Sequence, residues 1–322
     1  MTSPTGSEVA DLVAGVLAGQ PRAIGRAISA VERRDGVAAI LAAIYPRTGR
    51  ARILGVTGPP GAGKSTLVQR VAQAYRRRGE TVGIVAVDPS SPFTGGALLG
   101  DRIRMTELYT DPGVFIRSMA TRGALGGLSR ATSDAVDILD AAGFGVVIIE
   151  TVGVGQDEVD VVRAAETTAV VLVPGLGDDI QAIKAGILEI ADVFVINKAD
   201  REGADRAAGE LSAMLDFTPE RAWRPPIVKT VAPRAEGVED VIAALEGHGK
   251  HLAATPEGAE RQMWRARARL LAILEDRFRR AVEARAPGAE GLEEAMRSIQ
   301  ARRMDPYSAA ERLFARLVRS GA

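Results

Sequence analysis

The residues Gly58-Pro59-Pro60-Gly61-Ala62-Gly63-Lys64-Ser65, followed by Thr66, fit the pattern G-x-x-x-x-G-K-[ST] at every fixed position. The chemistry they suit is the grip of a triphosphate. A loop that wraps phosphates must turn its backbone N–H groups inward, which needs backbone angles and close approaches that side chains block, so glycine is required. Lys64 adds a point charge for the β- and γ-phosphates, and the Ser65 hydroxyl is a ligand for Mg²⁺. A helix starting at this point turns its positive end toward the anion. The bland alternative is a glycine turn with no ligand.

Two further groups lie downstream in the order a nucleotide switch requires. Val146-Val147-Ile148-Ile149 ends in Glu150, an acid at the carboxyl end of an apolar run, and Gly153 lets the backbone approach the γ-phosphate. Asn197-Lys198-Ala199-Asp200 follows another apolar run, Val193 to Ile196. In N-K-x-D the Asp carboxylate accepts from guanine N1–H and the exocyclic amine, a donor pair adenine lacks, so GTP and GDP are expected rather than ATP. Thr230-Val231-Ala232, after the last strand, is the expected remaining wall of the base pocket. Between these groups, Asp88 and Asp101 flank a proline- and glycine-rich stretch and offer hard oxygens for Mg²⁺ or its waters. A turn-starting role for Asp88 and a helix cap for Asp101 compete with that reading.

The elements that must position these residues follow from apolar periodicity. Runs at Arg52–Thr57, Thr81–Val87, Val114–Ser118, Val146–Ile149, Ala169–Val173, Val193–Ile196 and Ile227–Val231 alternate with helical stretches. The pattern predicts an α/β fold of the P-loop NTPase kind with a mostly parallel sheet, plus N-terminal and C-terminal helical extensions. The expected division is a helical segment over 1–50, a GTP-binding domain over 51–252 and a helical segment over 253–322. In the last segment a helix over Arg261–Glu283 lines up Trp264, Ala268, Leu271, Leu274, Phe278 and Val282. A second, starting at Asp305-Pro306, is expected to bury Tyr307, Ala310, Leu313, Phe314 and Leu317. Packing on the core and a homodimer arm are equally good destinations for those stripes.

Composition sets outer bounds. Lys plus Arg and Asp plus Glu both number 41, so no overall field favours nucleic acid or an anionic membrane. No apolar run is long enough to span a bilayer and the N-terminus lacks signal-peptide character, so a cytoplasmic protein is expected. Cysteine is absent, which removes disulfides and thiolate metal sites. The two histidines, His248 and His251, read as a solvated helix end, with a metal pair as the sharper alternative.

Taken together, the motifs resemble the MeaB/ArgK-type GTPases associated with methylmalonyl-CoA mutase. The likeness runs through G-P-P-G-A-G-K-S-T at 58–66, D-P-S-S at 88–91, G-D-R-I-R-M at 100–105, E-T-V-G-V-G-Q at 150–156, G-L-G-D-D-I-Q-A-I-K-A-G at 175–186 and N-K-A-D at 197–200. It implies a homodimeric GTPase chaperone that gates adenosylcobalamin loading on the mutase and protects or repairs it, with a cobalamin adenosyltransferase as a further candidate partner. It also implies that Lys64 holds phosphates and that Ser65, Asp88, Asp101 and Glu150 surround Mg²⁺ and the γ-phosphate. Gln181 and Lys184 would report nucleotide state to the partner. Where Ras-like enzymes place a water-orienting Gln directly after the switch glycine, Gly153 is followed here by Val154, so slow unaided hydrolysis is expected. The competing functions are a metal-insertion GTPase, disfavoured by the lack of Cys and the poor His pair, a kinase of ArgK-type naming, and a non-hydrolysing binding module.

Overall fold

The computed structural model describes residues 6–88, 106–120, 127–151, 164–175, 185–217, 222–284 and 291–319. Asp101, Gly153, Gln181 and Lys184 lie outside these residues, as does the side chain of Asp88.

Seven strands form one sheet: β1 Arg52–Thr57, β2 Val82–Asp88, β3 Val114–Ala120, β4 Val146–Thr151, β5 Thr167–Leu172, β6 Val193–Asn197 and β7 Ile227–Thr230. All neighbours are parallel and the order is β3-β2-β4-β1-β5-β6-β7. Every residue of β4, β5 and β6 is buried, which is why these strands read as continuous apolar runs and not as alternating patterns. The chain leaves β1 to one side and β5 lies on the other, so the carboxyl ends of β1, β4 and β5 bound a crevice at a switch in strand order.

The helices are α1 Gly6–Leu17, α2 Pro21–Arg33, α3 Val37–Ile44, α4 Lys64–Arg77, α5 Gly127–Ala141, α6 Ala185–Ile190, α7 Ala204–Asp216, α8 Val238–Ala254, α9 Pro256–Ala284, α10 Leu292–Gln300 and α11 Pro306–Arg319. On one sheet face Leu67, Val71 and Tyr75 of α4 and Val241, Ile242 and Leu245 of α8 meet Val56, Ile84, Ile148 and Val195. On the other face the three N-terminal helices pack with α5, so that Ile24, Ile28, Ile40 and Ile44 share a core with Ile138, Leu139, Val147 and Ile149. Each of these isoleucines is fully buried, a contribution of about 1.5–3 kcal/mol per side chain. The N-terminal helices are therefore one layer of the α/β body. Asp140, near the end of α5, anchors the connector into β1: its carboxylate accepts from the backbone N–H of Gly49 at 2.5 Å, Arg50 at 3.2 Å and Ala51 at 2.9 Å.

The chain divides into two compact units, Met1–Gln262 and Met263–Ala322. The second holds the remainder of α9 with α10 and α11. Asp305 caps α11 as the Asp-Pro sequence predicts, its Oδ1 accepting from the N–H groups of Tyr307 and Ser308 at 3.0 Å. Within the chain the expected burial of the α11 stripe is only partial: Leu313 is half-buried, and the Leu317 side chain lies outside the described residues. Tyr307 is 85% exposed and Phe314 54%, Ala310 faces solvent, and it is Ala309 that is buried. Trp264, Leu271, Leu274 and Phe278 on α9 are likewise exposed. Phe278 and Phe314 touch each other, with ring centroids 5.7 Å apart. Amphipathic periodicity marks a face able to be buried and does not by itself say what covers it.

Candidate nucleotide site

The phosphate loop runs from the end of β1 into α4, which begins at Lys64. Two of its glycines are demanded by geometry. Gly58 has φ +137°, and a Cβ there would lie 2.1 Å from the carbonyl oxygen of Val171 on β5; Gly63 has φ +87°, and its Cβ would lie 2.4 Å from Asn197 Nδ2. Gly61, with φ +76° and open space around it, needs only the backbone freedom. Lys64 is 6% exposed and donates from Nζ to the carbonyls of Gly58 at 2.7 Å and Pro59 at 2.9 Å. These contacts hold the ammonium against the loop's own carbonyls. Pro59, Pro60 and Thr66 stay at the accessible side of the loop, while Ala62 is buried.

Glu150 arrives from β4, in register with Val56 on β1. Its carboxylate, 5% exposed, accepts from the Ser65 hydroxyl at 2.5 Å across 85 residues of sequence. Serine hydroxyl and buried carboxylate thus form one hard-oxygen pair beside the lysine. That donor set fits Mg²⁺ and offers nothing soft. One residue on, Thr151 donates from Oγ1 to Thr57 Oγ1 at 2.9 Å, both side chains being buried. This rung ties the last residue before the phosphate loop to the residue after the strand acid. Sequence reading missed it, the only signal being a threonine at each strand end.

The N-K-x-D segment closes onto the same loop. Asn197 donates from Nδ2 to the Ala62 carbonyl at 2.8 Å, and its Oδ1 accepts from Thr230 Oγ1 and from the Ala232 N–H, both at 3.1 Å. Lys198, at φ +57°, reaches from Nζ to the Gly61 carbonyl at 2.7 Å. The Ala199 N–H donates to the Thr230 carbonyl at 3.0 Å. Asn197 therefore clasps the phosphate loop to the Thr230-Val231-Ala232 turn, bringing together three segments that are far apart in the chain. Asp200 stands at the mouth, 44% exposed in its side chain, with Arg234 Nη1 3.8 Å from Oδ2. The sequence reading did not single out Arg234.

The histidines correct their expectation. His248 is fully buried, its Nδ1 2.8 Å from the Thr167 hydroxyl and its Nε2 3.3 Å from Asp192 Oδ1. Asp192 also accepts from the Thr168 N–H and from Arg261, each at 2.8 Å. His251 pairs with Glu257 at 3.0 Å, and the Trp223 ring lies 5.1 Å and 5.3 Å from the two imidazoles. Neither a solvated helix end nor a metal pair describes this cluster; the polar H-G-K-H spelling hides that α8 turns His248 toward the amino ends of β5 and β6. No group of three or more His, Cys, Asp or Glu side chains able to hold a metal occurs among the described residues.

Comparison with known proteins places this geometry. Residues 24–286 match the family model described as methylmalonyl Co-A mutase-associated GTPase MeaB. The chain belongs to the MeaB family of GTPases. A Pyrococcus horikoshii family relative named as a GTPase is 49% identical over 313 residues, covering 96% of this chain and 98% of its own. The Escherichia coli GTPase ArgK is 39% identical over 211 residues, 64% of each chain. A solved structure described as a LAO/AO transport system kinase superposes with a TM-score of 0.73 at 25% identity, covering 98% of this chain and 99% of that one. The parallel sheet and phosphate loop of this MeaB-family chain are those of a P-loop GTPase. No helix among the described residues is long and apolar enough to cross a membrane.

Proposed function

We propose that this chain is a homodimeric, GTP-hydrolysing switch that gates adenosylcobalamin loading on methylmalonyl-CoA mutase and protects or repairs that enzyme. One observation carries the nucleotide half of the reading: the Asn197 side chain joins Ala62 in the phosphate loop to Thr230 and Ala232 beside the N-K-x-D segment. A phosphate grip and a guanine reader thereby belong to a single site. In this reading Gly58 to Thr66 cradle the phosphates, with Lys64 exchanging its loop carbonyls for phosphate oxygens. Ser65 and Glu150, with Asp88 and Asp101, hold Mg²⁺, which when bound offsets phosphate charge. Glu150 and the backbone at Gly153 face the γ-phosphate, and Asp200 reads the base. Gln181 and Lys184 carry nucleotide state to the client.

The client half rests on the family description and on the motifs shared with it. The homodimer is supported by the exposed apolar side chains that recur at helical spacing on α9, with Tyr307 and Phe314 exposed on α11. Slow intrinsic turnover, accelerated by the client, follows from the apolar Val154 where a water-orienting glutamine would stand. The test is GTP turnover by the full chain alone and with adenosylcobalamin-dependent methylmalonyl-CoA mutase, alongside a pull-down in the GTP and GDP states. Stimulation and nucleotide-dependent association are expected. A fast rate that ignores the mutase refutes the switch. One observation favours a second reading, the similarity to a structure described as a kinase. Terminally labelled GTP separates the two: label released as phosphate supports hydrolysis, and label on a protein or small acceptor supports transfer.

A further inference from the structure

The turn that follows β7 is built more rigidly than a wall for a base requires. The Val231 N–H donates to the Glu236 carbonyl at 3.1 Å, Arg234 N–H to the Val231 carbonyl at 3.0 Å, and Ala235 N–H to the Ala232 carbonyl at 3.0 Å. Ala235 is held at φ +56°, a conformation unfavourable for a residue with a Cβ, and at Gly237 a Cβ would lie 2.1 Å from the Lys229 carbonyl oxygen. The turn is moored to the site because the Ala232 N–H donates to Asn197. What it presents is Arg234. Glu236 takes the guanidinium in a fork, Nε to Oε1 at 2.7 Å and Nη2 to Oε2 at 3.3 Å, which leaves Nη1 directed at Asp200.

The distance of 3.8 Å between Nη1 and Asp200 Oδ2 decides what Arg234 can do. It is too long for a hydrogen bond, so the cation occupies no lone pair of the carboxylate, yet it is short enough for ion pairing. Arg234 therefore takes neither carboxylate oxygen from a base that needs both.

We propose that Arg234 is a positioning residue of the base pocket: its guanidinium, anchored by Glu236, orients the Asp200 carboxylate toward the two guanine donors. Guanine affinity then contains a salt-sensitive contribution from outside the N-K-x-D motif. This inference rests on the reading of Asp200 as the guanine acceptor, and the experiment separates the two.

Equilibrium dissociation constants for GDP and for xanthosine diphosphate are measured by calorimetry on the full chain at low and high salt. The proteins are wild type, Arg234→Ala, Asp200→Asn and the double variant, with thermal melts to verify folding. Asp200→Asn should exchange the GDP preference for xanthosine diphosphate, because the amide can donate to the xanthine oxygen. Arg234→Ala should weaken GDP about two- to five-fold at low salt and less at high salt, the size of a partly exposed ion pair. In the Asp200→Asn background, where no carboxylate remains to orient, Arg234→Ala should leave xanthosine diphosphate affinity unchanged. Equal losses in both backgrounds would show that Arg234 touches the base or merely supports the turn, and an unchanged GDP affinity would show that it does nothing; either overturns this inference alone. If Asp200→Asn keeps its preference for GDP, the guanine reading fails and the inference falls with it.

Discussion

Replacing Asn197 probes the joint on which the whole site depends. Its side chain is 1% exposed and makes three hydrogen bonds, to Ala62, Thr230 and Ala232. Removing them in Asn197→Ala forfeits about 1 kcal/mol per bond, and water entering the space recovers part of the loss, so about 1–3 kcal/mol of stability should go. Asn197→Asp is the sharper variant. It keeps an oxygen for Thr230 and Ala232 but sets a second, charged oxygen against the Ala62 carbonyl, now 2.8 Å from Nδ2. That buried repulsion should make the near-isosteric aspartate no better than alanine. Gly63→Ala adds a geometric test, because its Cβ would stand 2.4 Å from Asn197 Nδ2. In the Asn197→Ala background that obstacle is gone, so the two substitutions should cost at least about 1 kcal/mol less together than the sum of their separate costs. Urea unfolding at constant slope gives the stabilities, and binding of a fluorescent GDP analogue reports the site. An Asn197→Asp protein as stable as wild type would refute the assigned amide orientation and the clasp with it.

Three other outcomes are expected. Burial, opposed by Asp192, holds the His248 imidazole below its ordinary pKa of 6.5. The unfolded chain then takes the proton first, so stability is complete above that pH and declines as pH falls below it, until the folded imidazole itself titrates. His248→Gln should flatten this decline in thermal melts between about pH 5 and pH 8, and an unchanged slope would assign it to other groups. Ile28→Ala, in the layer formed by the N-terminal helices, should lose about 2–5 kcal/mol in urea unfolding while GDP affinity of the folded protein stays the same; a loss below about 1 kcal/mol, closer to that of a surface substitution, would detach that layer from the core. Chelation of divalent metal should stop phosphate release, and Glu150→Gln should lower hydrolysis more than GDP affinity; full turnover in EDTA would remove Mg²⁺ from the site.

The sequence by itself determined the seven strands, because strands buried on both faces must be apolar throughout and the turns between them carry glycine, proline and polar residues. It also determined the phosphate loop, the acid at the end of β4 and the N-K-x-D segment, since each is a short pattern whose chemistry is local. Only the tertiary structure decided that these patterns form one place. Ser65 reaches Glu150, and Asn197 reaches Ala62, across 85 and 135 residues because β4 is inserted beside β1 and β5 follows on its other side. Strand order leaves no periodic trace in the chain: the family resemblance implied that Ser65 and Glu150 share one metal site, but nothing in the sequence announced the Asn197–Ala62 clasp. Local polarity misled at His248, which looks solvated in H-G-K-H yet lies buried against Thr167 and Asp192 at the amino ends of β5 and β6. The α11 stripe shows a different limit: Tyr307 and Phe314 are spaced for burial but exposed within the chain, since periodicity specifies a face and not what covers it.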